Sequence, residues 1–251
     1  MILSKWVNKY YLEEETIFNI QEGMRAKPDI KYAVLDNFFN INMIDQLIEQ
    51  HQSLPFSESD DRRSGTDKPL PYDGAVVWAN TNHFGSELFF DKSWHEYCIK
   101  LCNANLQSPI STEVKLRWHK PLADGFWIHT DSTIRQIALL TYFNKNWKVS
   151  DGGLLQLWRI DEALANNIFT IDNPEGRMNF LNEHTRIRTS SPGGGFQDNK
   201  QHDLILIDQI VPAYNRLVIC NFQNNPTYHS VTPSNGKVRL GFVQWLGTNY
   251  Q

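Results

Sequence analysis

From residue 114 to residue 247 the sequence consists of short runs rich in aliphatic, aromatic and β-branched residues, separated by Gly, Pro, Asn and Asp. Runs of this kind are typical of strands that are bounded by turns. Eight runs fit the pattern: 114–120, 126–132, 136–144, 153–160, 203–208, 216–222, 228–233 and 237–247. Eight strands within about 130 residues match the size of a jelly roll, in which two antiparallel sheets enclose a pocket.

Two segments that precede these runs have helical periodicity. In residues 40–54, apolar side chains recur at helical spacing after Asn40, which is the expected N-cap. In residues 93–106, Ser93 and Glu96 have the spacing of a capping box. Helices followed by a series of strands predict an α+β fold that is mainly β: a jelly roll with supporting N-terminal helices.

The predicted organisation is a helical or mixed support layer, residues 1–112, and a jelly-roll core, residues 113–251, in one compact unit. The polar stretch at about 161–200 is longer than most connections within a domain. It is predicted to be a lid-like insertion, and the alternative is a disordered one. The stretch 60–74 is either a second lid or a mobile surface loop.

Composition and charge narrow the classes of function. The net charge is -4, and the chain has no block of Lys and Arg, which argues against a nucleic-acid partner. No apolar run approaches the ~20 residues that cross a bilayer, and the N-terminal segment becomes acidic at Glu13. We therefore expect no membrane partner and a cytoplasmic location. The three cysteines have no CxxC spacing and are predicted to be reduced, half-buried thiols.

Potential metal ligands lie in the second run, "WIHTDS", where His129 and Asp131 are two positions apart on a predicted strand. Alternate side chains of a strand project from the same face, so these two point into one space. His229, in "NPTYHSVTP", follows one apolar run and begins another, and it is the expected third ligand. Two imidazoles and one carboxylate form the facial triad of non-heme Fe(II) oxygenases.

A buried cation is expected near these ligands. Arg239 lies in "VRLGFVQW", an otherwise apolar strand, where its charge needs an anion, either a ligand or a protein carboxylate. A two-residue hairpin at Asn235 and Gly236 would put His229 and Arg239 on opposite faces of one ribbon. A shared site therefore requires a longer turn or a crossing between the two sheets.

Several segments in order, HTD, "RQIALLTYFNKNW", "DGGLLQLW", "VPAYNRLVICNF", "YHSV" and "RLGFVQW", carry a family resemblance. Over roughly residues 114–247 the chain resembles the prolyl 4-hydroxylase-like group of Fe(II)- and 2-oxoglutarate-dependent dioxygenases. The resemblance implies a double-stranded β-helix and roles for five residues: His129, Asp131 and His229 bind iron, and Arg239 and Tyr142 hold the distal carboxylate of 2-oxoglutarate.

Four other positions bear on the resemblance. Trp245 falls where the group often has an aromatic residue. Gly152 and Gly153 match its DGG turn, where the expected role is conformational because glycine tolerates positive φ. His119 stands where the group commonly has a tyrosine near the co-substrate. It either hydrogen-bonds 2-oxoglutarate or is satisfied by protein groups, and the second interpretation is favoured.

The function implied by the resemblance is hydroxylation of an unactivated C–H bond, coupled to release of succinate and CO2. The implied cofactors are Fe(II), 2-oxoglutarate as co-substrate, O2, and ascorbate as reductant. The substrate is a small molecule or a peptidyl group: a prolyl residue, a free amino acid or a small metabolite. Asp131 favours hydroxylation, since related halogenases have a small residue there. Two alternatives remain, a Zn-dependent hydrolase or isomerase and a non-catalytic cupin-like binding protein.

Overall fold

Two antiparallel sheets form the centre of the computed structural model, which describes residues 2–54, 57–58, 74–121, 125–129, 131, 134–160, 204–223 and 227–248. The strands of this part of the chain are β1 (Lys31–Asp36), β2 (Ser57–Glu58), β3 (Gly74–Trp78), β4 (Ile110–His119), β5 (Phe126–His129), β6 (Arg135–Tyr142), β7 (Leu155–Ile160), β8 (Leu204–Ile210), β9 (Arg216–Asn221), β10 (Tyr228–Val231) and β11 (Arg239–Thr248). The larger sheet has the order β1-β9-β6-β11-β4-β3-β2, and the smaller has the order β5-β10-β7-β8.

The predicted fold class is confirmed, because each of the eight strand-like runs corresponds to one of the strands β4 to β11. These eight strands are distributed over two antiparallel sheets, as in a jelly roll. The larger sheet also contains three strands from the N-terminal part of the chain, β1, β2 and β3. The boundary predicted between residues 112 and 113 falls within β4.

Helices from the N-terminal part cover the outer face of the larger sheet. They are α1 (Ile2–Trp6), α2 (Glu14–Ala26), α3 (Ile41–Gln52), α4 (Ser86–Phe89) and α5 (Lys92–Leu101), with a 3-10 turn at Lys9–Leu12. A second 3-10 turn, Val149–Asp151, lies between β6 and β7. Trp6, Phe89 and Trp94 of these helices are fully buried in one apolar core with Phe242 and Leu246 of β11. None of the helices in the described ranges is both long and apolar enough to cross a membrane.

Alternation along β11 separates this core from the space between the sheets. Phe242 and Leu246 belong to the core on the helix side, whereas Trp245 belongs to a second cluster with Leu155 and Leu157 of β7. Side chains of a strand alternate between its two faces, so β11 contributes to both regions. One face of the larger sheet therefore packs against the helices, and the other faces the cavity between the two sheets.

The two predicted helix starts have different outcomes. Asn40 is the N-cap of α3, but its side chain donates to the carbonyl oxygens of Ser4 and Lys5 at 3.2 and 2.7 Å. The expected capping box of Ser93 and Glu96 is wrong, because α5 begins earlier. Its N-cap is Asp91, whose carboxylate accepts from the backbone N–H groups of Ser93 and Trp94. A carboxylate is the stronger acceptor at a helix N-terminus.

The chain crosses from the smaller to the larger sheet between β10 and β11, which is one of the two arrangements that a shared site requires. Asn235 and Gly236 do not form a two-residue hairpin. The backbone N–H of Asn235 donates to the carbonyl of Asp151 at 2.8 Å, and that of Gly236 donates to the carbonyl of Pro121 at 2.7 Å. Backbone hydrogen bonds to two other loops therefore hold the crossing segment in place. The predicted lid at 161–200 and nearly all of the stretch 60–74, up to residue 73, lie outside the described residues.

Candidate active site

A cavity of about 340 Å³ lies between the two sheets. Its volume falls in the range of small-molecule sites. Four of the five predicted site residues have side chains in the described part of the chain, and all four line this cavity: Asp131, Tyr142, His229 and Arg239. The described geometry therefore brings these side chains together from one loop and three strands that are distant in the sequence.

His229 presents one ring nitrogen to a protein group. Its Nδ1 atom lies 2.9 Å from the carbonyl oxygen of Thr227, which can only accept, so Nδ1 carries the proton. The lone pair is then on Nε2. Phe222 stacks on the imidazole with ring centroids 6.1 Å apart and an angle of 15° between the planes. Metal-binding histidines usually have their second nitrogen fixed in this way, because it sets the tautomer and the orientation of the ring.

His129 is the direct cross-strand neighbour of His229 in the antiparallel pair of β5 and β10. Residues paired in this way are the nearest neighbours in a sheet, with Cβ atoms about 4.5–5.5 Å apart. The described part of the structure includes the backbone of His129 but not its side chain. Among the described side chains, no group of three His, Cys, Asp or Glu residues is arranged to hold a metal ion.

Asp131 follows β5 and is oriented by Trp245 of β11. The indole Nε1–H of Trp245 donates to Oδ2 of Asp131 at 2.8 Å, and the indole is 4% exposed. A hydrogen bond to an ionised carboxylate is stronger than one between neutral groups. The aromatic residue at position 245 therefore supports the orientation of a potential metal ligand.

Arg239 is buried at another part of the cavity, where it is 6% exposed. Its Nη1 donates to the carbonyl oxygen of Gly153 at 2.7 Å, and the centre of its guanidinium lies 5.7 Å from the centroid of the Tyr142 ring. Gly153 has a φ of +63°, and a Cβ there would lie 3.0 Å from Cδ of Arg239. Gly152 also has a positive φ, of +69°. The conformational role predicted for this glycine pair is therefore confirmed.

His119 is satisfied by Arg239. Its Nε2 lies 3.2 Å from Nη2 of Arg239, and since a guanidinium can only donate, the imidazole accepts. Burial, then the positive charges of Arg239 and Arg117, hold the pKa of His119 well below its usual range. His119 is therefore neutral and helps to orient the guanidinium, in agreement with the favoured interpretation from the sequence.

Cys220 also lines the cavity, and burial, reinforced by the nearby charge of Asp131, raises its pKa to about 12. Its thiol is consequently protonated at neutral pH. Because metal binding and nucleophilic attack require the thiolate, Cys220 serves as a small apolar wall residue. Cys98, Cys102 and Cys220 are all free, as predicted, and they are buried rather than half-buried.

Sequence reasoning missed three cations that line the same cavity, Lys115, Arg117 and Arg135. All three lie near the Trp245 ring, with cationic groups 5.8, 6.0 and 4.2 Å from its centroid respectively. The run "VKLRWHK" could have indicated two of them, because Lys115, Arg117 and His119 occupy alternate positions and therefore lie on one face of the strand.

Comparisons with known proteins identify the family. The sequence model described as "2OG-Fe(II) oxygenase superfamily" matches residues 111–247, more than half of the chain. A search of curated proteins found no match.

Solved structures with the same fold include three with low sequence identity. A prolyl-4-hydroxylase from Pseudomonas putida has a TM-score of 0.56 and 11% identity, covering 93% of this chain and 100% of its own. A prolyl hydroxylase from Trichoplax adhaerens, in complex with a hypoxia inducible factor peptide fragment, has a TM-score of 0.59 and 14% identity. The match covers 96% of this chain and 93% of the neighbour's chain. HygX from Streptomyces hygroscopicus, with nickel, 2-oxoglutarate and hygromycin B bound, has a TM-score of 0.58 and 9% identity, covering 95% and 88%.

Of the three functions that the sequence left open, the family match supports the dioxygenase over the Zn-dependent hydrolase or isomerase and the non-catalytic cupin-like protein. The cofactors of the family are Fe(II), 2-oxoglutarate and O2. The chain belongs to the 2OG-Fe(II) oxygenase superfamily and is a hydroxylating dioxygenase dependent on Fe(II) and 2-oxoglutarate.

Proposed function

We propose that His129, Asp131 and His229 bind the iron of this dioxygenase. The proposal is supported by the pairing of His129 with His229 across β5 and β10. It is further supported by the bond from Nδ1 of His229 to a carbonyl, which fixes the orientation of the imidazole, and by the hydrogen bond that orients Asp131. Two neutral imidazoles and one carboxylate suit Fe(II). When bound, Fe(II) supplies coordination sites at which 2-oxoglutarate and O2 react.

Arg239 and Tyr142 hold the distal carboxylate of 2-oxoglutarate in this proposal. A guanidinium can donate two parallel hydrogen bonds to a carboxylate, and burial strengthens them. His119 accepts from Nη2 and the carbonyl of Gly153 accepts from Nη1, so the direction of the guanidinium is fixed before the ligand enters. The neutral state of His119 also avoids a second positive charge beside Arg239.

Part of the cavity wall is apolar and limits the access of water to the reacting groups. Leu140, Leu155, Leu157 and Val243 provide apolar surface between the two sheets. Apolar walls protect a reactive centre from side reactions with water. In this environment the enzyme would hydroxylate an unactivated C–H bond and release succinate and CO2, with ascorbate as reductant.

The substrate is proposed to be a prolyl residue, a free amino acid or a small metabolite. The structural neighbours include one protein in complex with a peptide fragment and one with hygromycin B bound, so the fold serves both a peptidyl and a small-molecule ligand. A cytoplasmic location without nucleic-acid or membrane partners completes the proposal and remains a prediction from the sequence.

The single observation that carries the assignment of residues is a buried guanidinium that lines the same cavity as Asp131 and His229. The test is succinate formation with Fe(II), 2-oxoglutarate and O2 in the wild type and in Asp131→Ala. We expect loss of succinate formation in the variant, with the fold retained by circular dichroism. Asp45→Ala, which removes an exposed carboxylate paired with Lys145, is the matched control. Wild-type turnover in Asp131→Ala would exclude Asp131 as a ligand.

A further inference from the structure

Lys115, Arg117 and Arg135 form a cationic cluster around Trp245. Lys115 and Arg117 belong to β4 and Arg135 begins β6, so the cluster is assembled from the strands on both sides of β11. Arg117 is paired with Gly241, yet its guanidinium lies 6.0 Å from the ring of Trp245, further along β11. Its side chain therefore leans along the sheet toward Trp245 and Asp131.

The cavity consequently has two cationic ends. Arg239 is at the start of β11, paired with His119, and Trp245 is paired with Glu113. Six residues of a strand at about 3.4 Å each put the Cα atoms of Arg239 and Trp245 roughly 20 Å apart. Arg239 and Tyr142 serve the distal carboxylate of 2-oxoglutarate in the proposed function. The cationic cluster lies at the other end, next to Asp131, where a substrate must approach the iron.

Charge on the cavity lining favours an anionic substrate. The described lining side chains include four permanent cations, the cationic cluster and Arg239, and one carboxylate, Asp131. Glu113, whose Oε2 lies 2.5 Å from Nη2 of Arg135, offsets part of this charge. The two positive charges of Fe(II) and the two negative charges of 2-oxoglutarate balance each other, so loading the site leaves the charge balance of the described lining side chains unchanged.

Burial adds to this preference. Lys115 is 6% exposed and Arg117 is half-buried, although long cationic side chains usually extend to solvent. Contact with the Trp245 ring compensates part of the cost of removing these cations from water. In addition to the contacts that these cations already make, guanidinium and ammonium groups can form charge-assisted hydrogen bonds with the carboxylate or phosphate of an entering ligand.

We infer that the primary substrate is a small molecule with a carboxylate or phosphate group, which the cationic cluster binds while the carbon to be hydroxylated lies beside Asp131. This inference rests on the proposed function, and it narrows the substrate class to anions. A small molecule is favoured over a peptide because the cavity measures about 340 Å³ and Lys115 lies buried within it.

The test is a binding experiment on the full chain loaded with Mn(II) and 2-oxoglutarate. Ligands are offered at constant ionic strength as matched pairs, carboxylic acids with their primary amides and phosphate monoesters with their parent alcohols. Binding is measured by calorimetry and by thermal shift. We expect acids or phosphate esters to bind and their neutral partners to bind at least tenfold more weakly. The two kinds of pair distinguish a carboxylate from a phosphate.

Variants assign the preference to the cationic cluster. Lys115→Met and Arg135→Met should reduce the discrimination between acid and amide by about tenfold or more, because each removes a charge-assisted contact. Lys115→Arg keeps the charge and should retain the discrimination. Lys92→Met removes an exposed lysine of α5 and is the control that should change nothing.

Three outcomes would overturn the inference: amides that bind as well as acids, no anion that binds at millimolar concentration, or Lys115→Met and Arg135→Met variants that weaken 2-oxoglutarate alone. The last outcome would assign the cationic cluster to the 1-carboxylate of the co-substrate. Binding of 2-oxoglutarate to the Mn(II)-loaded wild type is measured first. Its absence would contradict the proposed function, whereas its presence without a preference for anions would contradict this inference alone.

Discussion

The hydrogen bond from Trp245 to Asp131 gives a sharp test of how the site is built. Trp245→Phe keeps an aromatic ring between the sheets but removes the indole N–H, which lies 2.8 Å from Oδ2 of Asp131. Hydrogen bonds to charged groups contribute about 1.5–3 kcal/mol, which corresponds to about 10- to 150-fold in an equilibrium constant. Groups that orient metal ligands typically affect metal affinity by about 10- to 100-fold. We therefore expect Mn(II) to bind at least tenfold more weakly.

A second tryptophan supplies the control for this variant. The indole N–H of Trp94 donates to Oε1 of Gln244 at 2.9 Å, within the core between the helices and the larger sheet. Trp94→Phe loses a buried hydrogen bond of the same kind and should be less stable by about 1–3 kcal/mol, with unchanged metal affinity. Calorimetry with Mn(II) and urea denaturation measure the two quantities. Equal Mn(II) affinity in wild type and a folded Trp245→Phe protein would refute Trp245 as a positioning residue.

Three further predictions concern co-substrate binding, the conformation of the glycine turn and the pH dependence of stability. Arg239→Ala should weaken 2-oxoglutarate binding by at least tenfold at unchanged Mn(II) affinity, and unchanged 2-oxoglutarate affinity by calorimetry would place the carboxylate elsewhere. Gly153→Ala should cost about 1–2 kcal/mol in urea denaturation, because an L-residue disfavours its φ of +63°. Burial lowers the pKa of His51 to about 4, so its contribution to stability is complete above pH 6.5 and is lost as pH falls toward 4. The free energy of unfolding should fall by about 3 kcal/mol over this pH range. A His51→Gln protein whose stability has the same pH dependence as that of the wild type would contradict this assignment to His51.

Local patterns in the sequence were sufficient for the strands of the jelly roll. Each run has its own alternation and its own turn residues, so the strands β4 to β11 could be recognised without knowing their partners. The requirement that His229 and Arg239 share one space left two arrangements open, a longer turn or a crossing between the sheets, and a crossing between β10 and β11 is observed. The strands could be predicted from local patterns, whereas the connection was constrained by the requirement of a shared site.

Contacts between distant strands could not be read in the same way. His119 meets Arg239 because β4 and β11 pair in one register, and that register is set by the packing of the whole sheet. The cationic cluster around Trp245 depends on the same register. Even the start of α5 was missed, since Asp91 and Ser93 are both good N-cap residues and only the path of the preceding chain selects Asp91.

The segment that connects β10 to β11 does not tolerate changes in its length. Deleting or inserting one residue between His229 and Arg239 would shift β11 against its neighbours and exchange its two faces. Arg239 would then enter the helix-side core, and Phe242 would enter the cavity. Since Asn235 and Gly236 are bonded to Asp151 and Pro121, the segment has little slack to absorb the change. Functional descendants of this chain should therefore conserve the spacing of these two residues even where their sequences diverge.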